Sequence, residues 1–280
     1  VRTRTVEWQV AGACNYDCTY CIQSRRYRRG RPEVPQLLRV IDAFATLPGT
    51  WEIKCSGGEA FAHPAFLDHA VPALMARTDH RISILTNFSA SRRDLMRFAR
   101  LTAERLSVFS ASLHLEFTDV HAFVDKASWF VDLCAPQTRF VVNQVVRPDR
   151  LAEAETCRDV VEDAGLRWFP QLLKVKGRVV DYPDPTRLRR LIGDAPGPRE
   201  ANLAPSYQGR LCWAGTDYFT VDKNGDAWSC RTAKRSGDGH LGNLFTGELT
   251  RLDGPAPCPW DVCPCTVPAN RGMIAGVGPA

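Results

Sequence analysis

The sequence predicts an α/β protein: a partly open barrel built from βα units, followed by a small cysteine-rich β-hairpin extension. Three observations point there. Short β-patterned runs alternate with helical runs through residue 172, the mark of successive βα units and a parallel sheet. Several of those strands are polar on one parity, whereas strands buried on both faces read as continuous apolar runs. Eight of the eleven cysteines gather in two groups, one after the first strand and one near the C-terminus.

Six strands are expected, at Thr5–Val10, Trp51–Ser56, Arg81–Asn87, Leu106–His114, Phe140–Val146 and Leu166–Leu172. Between them lie helical stretches such as PQLLRVIDAFATL, SRRDLMRFARLTAERL and RLAEAETCRDVVEDAG, with Ser91 and Gly165 as cap signals. On the first strand Val6, Trp8 and Val10 oppose Glu7 and Gln9; on the second Trp51 and Ile53 oppose Glu52 and Lys54. Ser110, Ser112 and His114 share a face of the fourth strand, and the fifth carries Asn143 and Gln144. If the apolar parity packs on helices, the polar parity lines a hydrophilic lumen suited to a polar substrate. After residue 172 the chain turns Pro- and Gly-rich, as a bridging segment does. DYFTVDKNGDAWSC then reads as a β-hairpin in which Asn224-Gly225 supplies the positive φ of a tight turn.

Composition excludes several classes. With 44% hydrophobic and 24% charged residues the chain is an ordinary globular one, neither disordered nor membrane-spanning. The N-terminal VRTRTVEWQV lacks the apolar core of a signal peptide, so the protein reads as cytoplasmic. In a reducing compartment its thiols serve metal ligation or packing rather than disulfides. Cys55, Cys134 and Cys157 stand alone and read as small buried hydrophobes. The net charge is +5, and RRYRRGR at 25–31 is a solvated loop, a docking face or an anion contact.

Cys14, Cys18 and Cys21 form C-x3-C-x2-C, one thiol short of a tetrahedral all-protein zinc site. An odd number of thiols leaves a coordination position open for chemistry. A zinc-dependent nucleic-acid-binding protein is the alternative of another class, but the basic residues do not interleave with aromatics and no zinc-finger spacing occurs.

The C-x3-C-x2-C loop directly follows the first strand, Tyr20 precedes its last cysteine, and SGGEA (56–60) closes the second strand. In these features the chain resembles the radical S-adenosylmethionine (radical SAM) superfamily. The resemblance implies a partial (β/α)6 barrel. It implies that Cys14, Cys18 and Cys21 hold three irons of a [4Fe–4S] cluster whose fourth iron binds SAM. Reductive cleavage of SAM then yields a radical that removes a hydrogen atom from the substrate. Gly57 and Gly58 are implied to let the backbone approach SAM closely. Tyr20, Glu59, Ser112 and Asn143 complete the implied cofactor contacts. The family's GxIxGxxE segment is not recognisable here.

Cys212 and Cys230 flank the hairpin, and CPWDVCPC supplies Cys258, Cys263 and Cys265. This resembles the SPASM or shorter Twitch extension and implies one auxiliary [4Fe–4S] cluster. Five thiols for four ligands leave one over, and Cys258 is the expected spare, a hydrogen-atom donor for epimerisation. The other expectation is a two-electron dehydrogenation of a secondary alcohol through the auxiliary cluster. The polar lumen favours a small substrate of the aminosugar or cyclitol type over a ribosomal peptide. The expected domains are 1–172 (barrel), 173–211 (bridge) and 212–280 (auxiliary cluster). The expected partners are the substrate and a flavodoxin or ferredoxin electron donor, with no membrane and no nucleic acid.

Overall fold

The computed structural model describes residues 2–23, 27–193, 206–263 and 266–277, so Arg25, Arg26 and Cys265 lie outside the described residues. Strands β1 (Thr5–Ala11), β2 (Glu52–Gly57), β3 (Arg81–Thr86), β4 (Leu106–Leu113), β5 (Arg139–Val146) and β6 (Trp168–Leu172) run parallel in that order. Their ends depart from the sequence expectation by at most two residues. Helices α1 (Val34–Ala45), α2 (Val71–Arg77), α3 (Arg92–Thr102), α4 (Val120–Val131) and α5 (Leu151–Asp163) connect them. The Ser91 side chain caps α3 by accepting from the Asp94 amide at 3.1 Å, and Gly165 follows α5 with φ of 73°.

The helices cover the apolar parity of the sheet. Val6, Trp8 and Val10 of β1 and Ile53 and Cys55 of β2 are at most 1% exposed, packed with Leu37, Ile41 and Phe44 of α1. Cys55 and Cys157 are buried in this core and Cys134 packs against it, as their isolation suggested. The opposite parity faces a lumen lined by Glu7, Lys54, Ser110, Ser112, His114 and Asn143. Gln144 does not join Asn143 there. Successive strand residues face opposite ways, and its side chain accepts from Trp168 Nε1 at 2.9 Å on the helix side.

Beyond β6 a small hairpin, β7 (Lys174–Val175) and β8 (Arg178–Val179), leads to α6 (Pro185–Ile192). After β9 (Leu211–Cys212), the second hairpin forms where expected, from β10 (Tyr218–Val221) and β11 (Asp226–Trp228), with Gly225 at φ of 84°. It does not stand apart from the barrel. β10 pairs in parallel with β1, Thr5 opposite Tyr218, so one nine-stranded sheet runs β12-β11-β10-β1-β2-β3-β4-β5-β6, with β12 at His240–Asn243. The hairpin thereby covers the edge that β1 would otherwise leave with unpaired backbone groups.

Between β11 and β12, helix α7 (Arg231–Ser236) brings Arg231 and Arg235 to the lumen wall. Arg231 binds Glu7 of β1 through Nη2 to Oε1 at 3.0 Å and Nε to Oε2 at 3.1 Å, and Arg235 lies against Gly177 beyond β6. Strand β13 (Ala256–Pro257) pairs with β9, and helix α8 (Thr266–Asn270) delivers Arg271 to Glu52 at the start of β2. Among the described residues no helix is long and apolar enough to cross a membrane.

The Arg271–Glu52 pair is buried, with side chains 8% and 4% exposed, and Ser83 and Ser107 also donate to the carboxylate. Removing one partner leaves a buried charge uncompensated. Arg271→Met should therefore lower stability by about 3 kcal/mol, and Glu52→Gln added to it should restore part of the loss. Denaturant midpoints of the two variants check this; equal midpoints for Arg271→Met and wild type would refute it.

Candidate functional site

The cysteine loop begins where β1 ends, and backbone contacts set its position. The amides of Gly12 and Ala13 donate to the Gly30 carbonyl at 3.1 and 3.2 Å, closing the loop on itself. The amides of Gly58 and Glu59 donate to the carbonyls of Ala11 and Ala13 at 2.8 and 2.9 Å, tying it to the end of β2. A Cβ on Gly58 would collide with the Ala13 carbonyl oxygen, and one on Gly57, at φ of 136°, with that of Ala11. The two glycines are required here by the cysteine loop itself.

Glu59, expected among the cofactor contacts, is turned away from the cavity. It is 1% exposed and accepts from the Phe61 amide at 3.1 Å, the Thr86 hydroxyl at 2.7 Å and the Asn87 amide at 2.6 Å. Its carboxylate joins the upper ends of β2 and β3, and burial raises its pKa against those hydrogen bonds. Asn87, thus positioned, donates to Asn15 Oδ1 at 2.9 Å and approaches Cys14 Sγ at 3.8 Å.

Cys14, Cys18, Cys21 and Tyr20 all line the upper part of a cavity of about 360 Å3. Cys18 Sγ lies 3.6 Å and the Tyr20 hydroxyl 2.9 Å from His114 Nδ1 at the end of β4. Burial pushes the pKa of His114 down to about 4, so the ring is neutral near pH 7. Ser112 and Asn143 line the same cavity, and the buried Nδ2 of Asn143 has no hydrogen-bond partner among the described residues.

The donor set fits an iron–sulfur cluster. Burial, then Cys21 and Cys14, push the Cys18 thiol up to about 12, so these thiols resist ionising together without a cation. A [4Fe–4S] cluster takes one thiolate at each of three separate irons, which three thiols of one loop can supply. The unpartnered Asn143 amide marks the wall against which a polar molecule can bind.

The second thiol group sits at the opposite end of the sheet. Cys212 precedes β10, which runs parallel to β1, while Cys14 follows β1. Burial, then Cys258 and Cys230, push the Cys212 thiol up to about 12. β13 places Ala256 opposite Cys212, and the Cys258 amide donates to the Arg210 carbonyl at 2.8 Å. Cys263 packs with Cys212 on a small core of Tyr207, Ala269, Ile274 and Val277. Cys258, expected to be the spare donor, is 8% exposed, stands beside Cys212 and does not line the cavity. It directly follows β13, whose pairing with β9 carries it toward Cys212 and away from the lumen.

Sequence reading missed the arginines that hold the lower lumen. Glu7 is 1% exposed and also accepts from Tyr218 at 2.5 Å. Burial opposes its ionisation, but Arg231, Lys54 and Tyr218 together outweigh burial and lower its pKa. Nothing local marks Arg231 or Arg271, which meet their partners across 224 and 219 residues.

Gly58→Ala should displace the cysteine loop without altering the sheet. The reconstituted variant should lose about four irons, as should the Cys14→Ala/Cys18→Ala/Cys21→Ala variant, with unchanged far-ultraviolet circular dichroism. Full iron content in the Gly58 variant would contradict the clamp described above.

No curated protein matches the sequence. Among solved structures, native anSMEcpe with bound AdoMet is similar over 86% of this chain and 78% of its own, with 15% identity and a TM-score of 0.60. Streptococcus suis SuiB bound to precursor peptide SuiA is similar over 89% of this chain and 64% of its own, with 15% identity and a TM-score of 0.63. BtrN in complex with AdoMet and 2-DOIA is similar over 88% and 80%, with 14% identity and a TM-score of 0.52. At these identities the likeness is one of fold. A family model, the Radical SAM superfamily, matches residues 8–129, a stretch that begins within β1 and contains the three-cysteine loop, the Gly57–Gly58–Glu59 turn and β2 to β4. Residues 8–129 are thus similar to the Radical SAM superfamily.

Proposed function

We propose that the protein removes a hydrogen atom from a hydroxylated small molecule held in the lumen and releases an oxidised product. The observation that carries this reading is the placement of the two thiol groups at opposite ends of one sheet, with the lumen between them. When bound, a cluster with SAM at Cys14, Cys18 and Cys21 supplies hydrogen-atom abstraction, and an auxiliary cluster at Cys212, Cys230, Cys258 and Cys263 or Cys265 supplies an electron sink.

The chain's own residues bind and shield. Asn143 Nδ2, buried and unpartnered, and the Ser110 and Ser112 hydroxyls on β4 offer hydrogen bonds to substrate hydroxyls. Val108, Val141 and Phe169 form a small apolar wall against which a ring face can lie. Helix α7, held by Arg231 on Glu7 and by Lys234 on Asp222 at 2.5 Å, restricts water on its side of the lumen. The neutral His114 holds the Tyr20 hydroxyl, fixing the ring that follows Cys18.

Epimerisation rested on a spare Cys258 facing the substrate. Its place directly after β13, which pairs with Cys212 in β9 outside the cavity, favours a ligand role, and with it oxidation over inversion. The peptide-bound SuiB neighbour raises peptide modification as an alternative. A cavity of about 360 Å3 favours a small substrate, near the lower end of the range for small-molecule sites. For the reductant, flavodoxin or ferredoxin, Arg29 and Arg31 are exposed beside the cysteine loop, whereas Arg28 turns to Asp17 at 2.9 Å.

The product should be two mass units lighter than the substrate. Cys258→Ala should lose about four of about eight irons while the upper cluster still cleaves SAM. A product of unchanged mass carrying one solvent deuterium, with full iron in the Cys258 variant, would restore epimerisation.

A further inference from the structure

Among the described residues the lower lumen gathers more cations than carboxylates. Glu7 is engaged by Arg231 and Glu52 by Arg271, each through two nitrogens of the guanidinium. Lys54 stands between those carboxylates, opposite Glu7 in the β1–β2 register and two residues beyond Glu52. It is 8% exposed, lines the cavity, and makes no hydrogen bond or contact ion pair with a described residue. Arg139, at the start of β5, and Arg167, just before β6, line the lower mouth and likewise make no side-chain hydrogen bond or ion pair with a described residue. Among the described residues, five cations thus act on one another across this floor against two carboxylates.

We propose that this floor is an anion-binding subsite, in which Lys54, with Arg139 and Arg167 at the mouth, holds a carboxylate or phosphate group of the substrate. The inference rests on the small-molecule reading above and narrows it to acidic substrates. A buried ammonium without a contact partner is unfavourable, and a bound anion removes that penalty. Burial and the neighbouring Arg271 lower the pKa of Lys54, the direction expected of a cation whose counter-charge is to come from outside. An anchored acidic end fixes the substrate's orientation along the lumen, with its other end toward Cys14, Cys18 and Cys21. An aminosugar bearing an ammonium on the lower side would instead meet like charge.

The test uses the reconstituted holoprotein and calorimetric titration at constant ionic strength with inorganic phosphate, malonate and, as the uncharged control, myo-inositol. Phosphate or malonate should bind one to one, and the tighter of the two names the substrate's acidic group. Lys54→Met should weaken that binding about tenfold or more, Lys54→Arg should largely retain it, and Arg139→Gln/Arg167→Gln should weaken it independently of any effect of Lys54 on folding. Binding of neither anion, or equal binding by wild type, Lys54→Met and the double arginine variant, would overturn the subsite. Substrate-independent SAM cleavage, which depends on the upper thiols, is measured in parallel. Its loss in wild type with Lys54-dependent anion binding intact would refute the radical reading alone; its presence without anion binding would refute the subsite alone.

Discussion

Two carboxylates on the inner face of the sheet, Glu7 and Glu52, govern how the two ends of this chain fit together. Both are almost wholly buried, and a charge in that setting persists only when paired and hydrogen-bonded. The counter-charges come from the far end of the chain, Arg231 at the start of α7 and Arg271 just after α8. Each arginine follows a cysteine-bearing segment: Arg231 is the neighbour of Cys230, and Arg271 lies shortly after Cys263 and Cys265. The ion pairs that satisfy the lumen therefore also fasten the second thiol group to the lower end of the barrel.

The upper end is organised by backbone rather than by charge. The amides of Gly12 and Ala13 close the cysteine loop on Gly30, and those of Gly58 and Glu59 tie it to the end of β2. Such contacts are insensitive to side-chain substitution except at Gly12, Gly57 and Gly58, where any Cβ would strike a carbonyl oxygen. Glu59 extends the same framework to β3 through Thr86 and Asn87. A three-thiol loop held this way presents its sulfurs to the cavity while its main chain is fixed by elements of the sheet, the condition for a preorganised cofactor site.

The lumen connects the two regimes. Its middle mixes hydroxyls, an unpartnered amide and a short apolar wall; its floor is cationic, and its upper end is thiol and imidazole. A polar molecule entering it meets a gradient of chemistry along the strand direction. That gradient orients a substrate with unlike ends and has no effect on a symmetrical one.

Much of this was legible in the linear sequence because it is local. Strand and helix runs follow from the spacing of apolar residues, caps from Ser91 and Gly165, and the hairpin from Asn224-Gly225. The three-cysteine loop and the SGGEA turn are short motifs whose spacing carries the chemistry of their ligands. Side-chain parity also foretold that Glu7, Lys54, Ser110, Ser112 and His114 share an inner face, since alternate residues of a strand point the same way. Tertiary structure decided everything that depends on partners distant in sequence. It placed β10 beside β1, matched Arg231 and Arg271 to their carboxylates, turned Glu59 into a strut between β2 and β3, and carried Cys258 to Cys212 rather than to the cavity. No spacing rule encodes such meetings, because a charge buried on one strand specifies only that a counter-charge must arrive, and packing alone selects which segment brings it.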